Sequence, residues 1–213
     1  MKDPITHPHF ARVYEAVGGI GEWLFLDELR EEICRDLSGT VLDIGAGTGT
    51  MLEPISRLSA PESIHYVALE PDGTMRQYAR PRLVDSRVET TLVAGAAETL
   101  PFAENSFDSV LCSLVLCSVQ DLRHSLDEIA RVLQPGGELR ILEHVASEGI
   151  EGSFQHTIRP LWSRVAGGCD PHRHTGQIIS ESGHFSPIDI QLRAIGVPPI
   201  RPFLVGRYRA QVR

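Results

Sequence analysis

Between residues 40 and 145 the chain alternates short apolar runs with amphipathic ones, and few folds accept that pattern. TVLDIG, IHYVALE, RVETTLVAG, FDSVLCSLVLCSV and ELRILEHV read as strands. TMLEPISRLS and GTMRQYARPRL read as the helices between the first three strands. LRHSLDEIARVL is an amphipathic helix with Leu122, Leu126, Ile129, Val132 and Leu133 on one face, followed by a PGG turn. Strands as continuously apolar as VLCSLVL suit a sheet covered on both faces. The expected fold is α/β: a three-layer, doubly wound, Rossmann-like sheet of seven strands, mostly parallel. IDIQLRAIGV and RPFLVGRYRAQV supply the last two strands and an antiparallel C-terminal edge. Residues 9–37 read as helical with a glycine-rich break, so the 213 residues divide into an N-terminal helical cap (1–38), a ligand-binding core (39–147) and a substrate-side insertion with the last strands (148–213), all in one domain.

Within that frame, VLDIGAGTGT (Val41–Thr50) is the most informative stretch. Ligands bind at the carboxyl ends of strands in such sheets, and Gly45, Gly47 and Gly49 fall at the end of the first one. The dinucleotide fingerprint GxGxxG needs its third glycine where Thr50 stands. The 25-residue step from Gly45 to Glu70 also exceeds the ~20 of a nicotinamide site. A dehydrogenase is therefore disfavoured. Asp43 lies two residues before the first glycine, as a loop-capping or ligand-contacting carboxylate, and Glu70 closes the second strand, where a carboxylate can take both ribose hydroxyls of an adenosine.

VLDIGAGTGT, YVALEPDGTM, AGAAETLPFAENSFDSVLCSLVLCSV and EIARVLQPGGEL, in this order, resemble the motifs of class I S-adenosylmethionine-dependent methyltransferases of the type 11 family. The resemblance spans about residues 40–145. It implies that Gly45, Ala46, Gly47 and Gly49 face the methionine and ribose part of S-adenosylmethionine and that Glu70 holds the ribose. Pro71 and Met75 would flank the adenine, Ala96 and Ala97 would meet its edge, and Ser113 and Leu114 would complete the cofactor site. Ala96 departs from the pattern, since the family usually has Asp there for the adenine amino group; backbone, water or a neighbour then has to supply that contact. HPHFARVYEAV resembles the helix that closes over the cofactor in small-molecule methyltransferases, with Tyr14 reaching the methionine carboxylate.

The acceptor half is narrower in its likeness. CSLVLCSV, ILEHVAS, QHTIRPLW, GGC and a following FS are similar to the vertebrate methyltransferase-like enzymes that methylate alkyl thiols. The resemblance implies a small nucleophile, best a thiol, as acceptor. His144, closing the fifth strand, is the catalytic candidate, with Cys117, His156, Trp162 and Cys169 as further pocket residues. The alternatives are an N- or O-methyltransferase acting on a lipid head group or secondary metabolite, and a non-catalytic protein that binds the cofactor.

Composition narrows the partners. A net charge of −8 and the absence of an NPPY-type motif after the fourth strand argue against nucleic acid as substrate. No apolar run approaches the ~20 residues of a membrane span, and Met1–Phe10 does not read as a secretory leader. Cys34, Cys112, Cys117 and Cys169 form no CxxC pair, which fits a reducing, cytoplasmic location. Cys112 and Cys117 read as packing and pocket lining rather than a redox pair. The crowded CDPHRH run (Cys169–His174) lacks an evident fourth ligand, so no metal is expected. A small-molecule acceptor and a monomer or homodimer complete the expectation.

Overall fold

The computed structural model describes residues 23–196 and 198–211. Tyr14 and the rest of the proposed N-terminal cap before Trp23 lie outside the described residues. In chain order the elements are α1 (Trp23–Cys34), β1 (Gly39–Ile44), α2 (Leu52–Ser56), β2 (Ile64–Leu69), α3 (Gly73–Val84), β3 (Glu89–Val93), β4 (Phe107–Ser113), α4 (Leu122–Val132), β5 (Leu133–His144), α5 (Gly149–Val165), α6 (Thr175–Glu181), β6 (Phe185–Arg193) and β7 (Phe203–Ala210). The seven strands form one sheet in the order β3-β2-β1-β4-β5-β7-β6. β1 to β5 pair in parallel. β7 is the antiparallel strand, as expected of the C-terminal one, but it is not outermost. It pairs with β5 on one side and with β6 on the other, so β6 is the edge.

Alternating side chains divide the core between the two faces of the sheet. Leu42, Ile44, Val110, Cys112 and Ile141 pack on one face with Leu126 and Ile129 of α4 and Ile179 of α6. Val41, Tyr66, Ala68, Leu111, Leu142 and Val205 pack on the other with Leu26, Leu29 and Ile33 of α1 and Ala79 and Leu83 of α3. The strand ends then converge on the crevice where β1 and β4 part toward opposite sides of the sheet, the topological switch point of such folds.

Local chemistry sets the helix ends. Asp72 caps α3 by accepting the amides of Thr74 at 2.6 Å and Met75 at 3.3 Å, and Asp121 caps α4 through the amide of His124 at 3.0 Å. At the other end of α1, the buried Arg140 guanidinium donates to the carbonyls of Ile33 and Arg35, which the helix itself leaves unpaired. The PGG stretch expected as a turn lies inside β5. The register there jumps from Phe107↔Leu133 to Ser109↔Glu138, with Gly136 at φ +80° absorbing the irregularity.

Candidate active site

The loop after β1 folds back over the end of β2. The amides of Gly45 and Ala46 both donate to the Leu69 carbonyl, at 2.8 and 3.0 Å. Gly45 sits at φ +66°, and a Cβ there would stand 2.4 Å from Cγ2 of Val115. Glycine at that position thus lets the β1 loop touch the loop after β4, which brings the two halves of the crevice together.

Glu70 follows β2 directly, and its carboxylate is 7 % exposed. One oxygen accepts the Gly47 amide at 2.9 Å and the other the Asp72 amide at 2.8 Å. A carboxylate offers about four lone-pair sites, so one on each oxygen remains for a ligand. Burial raises the Glu70 pKa, while the two amides oppose that shift. Arg76 donates to the carbonyls of Glu70 and Pro71 at 2.6 and 2.7 Å and fixes the turn that carries them. Met75 is buried beside this turn. Ala96 and Ala97 follow β3, where Ala96 makes an isolated bridge with Thr99 and Ala97 is buried.

Asp43 lies on β1. It is 1 % exposed, under the glycine loop, and accepts the Tyr66 hydroxyl. Burial pushes its pKa up to about 7, against the Tyr66 hydrogen bond and with help from the nearby Glu70 charge. In the fold this carboxylate is tied to Tyr66 of β2.

The loop Leu114–Val119 forms the far wall. Ser113 ends β4, and Leu114 adopts φ +59°, a strained conformation for a branched side chain. Glu143 of β5 holds the loop from below. This fully buried carboxylate accepts the amides of Val115 at 2.9 Å, Leu116 at 2.7 Å and Cys117 at 3.2 Å. Burial pushes the Glu143 pKa up to about 7 despite those three donors. Arg173 braces the other side, donating to the Leu116 and Val119 carbonyls at 2.8 Å each. Neither residue stood out in the sequence: Glu143 reads as one more strand position, and Arg173 sits inside the histidine-rich run.

Since Glu143 ionises below pH 5 in an unfolded chain but near pH 7 in the fold, its protonation contributes stability that is complete at low pH and is lost as pH rises through about 4.5 to 7. The stability of the wild type relative to Glu143→Gln is therefore expected to fall by roughly 3 kcal/mol between pH 5 and pH 8. Urea titrations of both proteins measure it, and a difference flat with pH would refute the assignment.

Among the acceptor candidates, His144 is half-buried. Its Nδ1 lies 2.6 Å from the Ile200 carbonyl, and its ring stacks at 4.7 Å on Phe203. Burial pushes its pKa down to about 4, so the ring is neutral at physiological pH, with Nδ1–H donating to Ile200. That is a poor match for the proton-accepting role expected of it. Cys117 is 1 % exposed, with its thiol against Cys169 rather than lining an open pocket. Cys112 is in the core, as expected. Trp162 is half-buried on α5, and its indole N–H has no partner. His156 is exposed. It meets His172 at 5.3 Å on the rim of a separate open depression of about 400 Å³ that also includes Ser147, Ser153 and Thr157. Among the described residues, no group of three or more His, Cys, Asp and Glu side chains is arranged to hold a metal ion.

Comparison with known proteins decides the family. The methyltransferase domain profile matches residues 42–141. The thiol S-methyltransferase TMT1B of Rattus norvegicus is 31 % identical over 184 residues, covering 81 % of this chain and 71 % of that protein. This chain belongs to the S-adenosylmethionine-dependent methyltransferases. The demethylmenaquinone methyltransferase of Paenarthrobacter aurescens is 38 % identical to it over 125 residues, or 59 % of this chain and 42 % of the relative. The fold of the methyltransferase matches that of an S-adenosylmethionine-dependent methyltransferase from Thermotoga maritima with a TM-score of 0.65 at 22 % identity, covering 96 % of this chain and 100 % of the other. The crevice fits the family's cofactor: Glu70 has an unused lone-pair site on each oxygen, and a Cβ at Gly47 would meet nothing nearer than the Gly45 carbonyl oxygen at 3.9 Å. Among the described residues of the methyltransferase no helix is long and apolar enough to cross a membrane.

Proposed function

We propose that the methyltransferase transfers a methyl group from S-adenosylmethionine to a small thiol, giving the S-methyl thioether. The observation that carries the acceptor assignment is the extent of likeness to the thiol S-methyltransferase. It covers 81 % of this chain, against 59 to 66 % for the quinone-type relatives. When bound, the cofactor supplies an electrophilic methyl group on a sulfonium. The residues of the chain then have to hold the ribose, exclude water and align the acceptor.

In this reading Glu70 accepts the ribose hydroxyls with its spare lone pairs, and Pro71 and Met75 flank the adenine. The glycine loop, with Ala46, lies along the methionine part, and Ala97 and Ser113 lie at the margins. Leu114 and Val115, on the loop gripped by Glu143 and Arg173, face the acceptor. The demand for a base is small, because a thiol of pKa ~8.5 is already partly thiolate at neutral pH. His144 orients the Ile200 segment and takes no proton.

Two measurements test this. A panel of short alkyl thiols, amines, phenols and quinols should yield methylated product from the thiols; product from any other class, with none from thiols, would transfer the enzyme to that chemistry. His144→Gln, whose amide can still reach the Ile200 carbonyl, is expected to retain turnover within about tenfold of wild type, whereas loss of a general base costs ~100-fold or more. A drop of that larger size, at unchanged melting temperature, would restore the histidine as the base.

A further inference from the structure

Two buried thiols meet behind the acceptor loop. Cys117 belongs to that loop, and Cys169 to the turn after α5 in which Gly167 and Gly168 take φ +59° and +89°. Their side chains are in hydrogen-bond contact. The backbone is already joined around them: the Asp170 amide donates to the Cys117 carbonyl at 3.0 Å, and Arg173 ties Leu116 and Val119 to the same segment. The Cβ position of Gly168 faces the Ser118 carbonyl at 3.5 Å, so the turn packs directly on the loop. All four cysteines are free, and their burial differs in a way that matters: Cys34 and Cys112 are 0 % exposed, Cys117 1 % and Cys169 8 %. A small reagent reaches Cys169 first and finds Cys117 behind it.

We propose that Cys117 and Cys169 are a reversible disulfide-forming pair, oxidised by exchange with a low-molecular-weight disulfide, and that the bond fastens the acceptor loop to the 166–174 segment. In the first step the Cys169 thiol, losing its proton to solvent, attacks one sulfur of the small disulfide. A mixed disulfide forms on Cys169, and the other half leaves as a thiolate that takes up a proton. In the second step Cys117 loses its proton and attacks Sγ of Cys169. The protein disulfide forms and the remaining half leaves as a second thiol. Two protein thiols are oxidised while one disulfide is reduced to two thiols, and an excess of small thiol reverses both steps. The backbone hydrogen bond and the two Arg173 bonds that already span the segments mean that little rearrangement is needed to bring the sulfurs to bonding distance. The inference stands apart from the acceptor assignment, because it concerns the chain's own sulfurs.

The test uses the wild-type protein. It is incubated with oxidised glutathione, quenched with acid, alkylated under denaturing conditions and digested without reduction. The expected result is a cross-linked peptide pair joining Cys117 to Cys169, with Cys34 and Cys112 fully alkylated and the link lost after dithiothreitol. Cys169→Ser should leave Cys117 fully alkylated after the same treatment. Alkylation of all four cysteines, a glutathione adduct that stays on Cys169, or a link that includes Cys34 or Cys112 would each overturn the proposal.

Discussion

Glu70→Ala is expected to weaken binding of S-adenosylhomocysteine by about 100-fold or more, the largest loss at the cofactor side of the crevice. The argument counts bonds. Two ribose hydroxyls donating to a buried carboxylate are charge-assisted contacts, each of ~1.5–3 kcal/mol, and every 1.4 kcal/mol is about a factor of ten in affinity. The same carboxylate pins the Gly47 and Asp72 amides, so its removal also loosens the glycine loop and the start of α3. Calorimetry on the variant reads the effect. Gly47→Ala provides the contrast: it leaves Glu70 in place but puts a methyl group at φ +57°, and it should weaken binding through the loop alone. Equal affinity of Glu70→Ala and wild type would remove Glu70 from the cofactor site.

Glu143→Ala should be the most damaging change on the acceptor side. It would strand three amides, those of Leu116 and Cys117 in the interior and that of the half-buried Val115. Each unsatisfied buried donor costs ~1–3 kcal/mol, so a loss of about 3 kcal/mol or more of folding free energy is expected, a large share of an ordinary domain's stability. Function should suffer beyond stability. Leu114 keeps its positive φ because the loop after it is fixed, and a relaxed loop withdraws the wall against which the acceptor is aligned. Equilibrium unfolding, together with turnover measured well below the variant's melting temperature, separates the two losses. Stability within 1 kcal/mol of wild type would mean that the carboxylate does not carry the loop.

What the sequence revealed and what it hid follow from the range of the interactions. α4 was legible because its apolar stripe is a local pattern. β1, β2 and β4 were legible because each is a short, largely apolar run. The position of Glu70, after β2 and beside the glycine loop, was legible because a strand end and a glycine run mark it. Glu143 was not, since its three partners lie 26 to 28 residues away and a strand of period two gives an inward carboxylate no distinguishing mark. The hydrogen bond that Asp43 accepts from Tyr66 on the neighbouring strand is a pairing that composition and periodicity do not encode. His144 was correctly seen at the end of β5, but the carbonyl that claims its Nδ1 belongs to Ile200, 56 residues on. The CDPHRH run drew attention to its histidines, while the arginine within it braces the acceptor loop.

The insertion of β7 between β5 and β6 has a kinetic corollary. β5 cannot find its partner in the neighbouring stretch of chain: His144 pairs with Phe203 and Glu138 with Arg209, so zipping this seam closes a detour of nearly sixty residues or more. Until it closes, the flank of β5 that carries Leu139 and Ile141 offers unsatisfied amides and carbonyls to any passing strand. Folding of the outer third of the sheet should therefore be the slow phase, and crowding during that phase the moment when chains entangle.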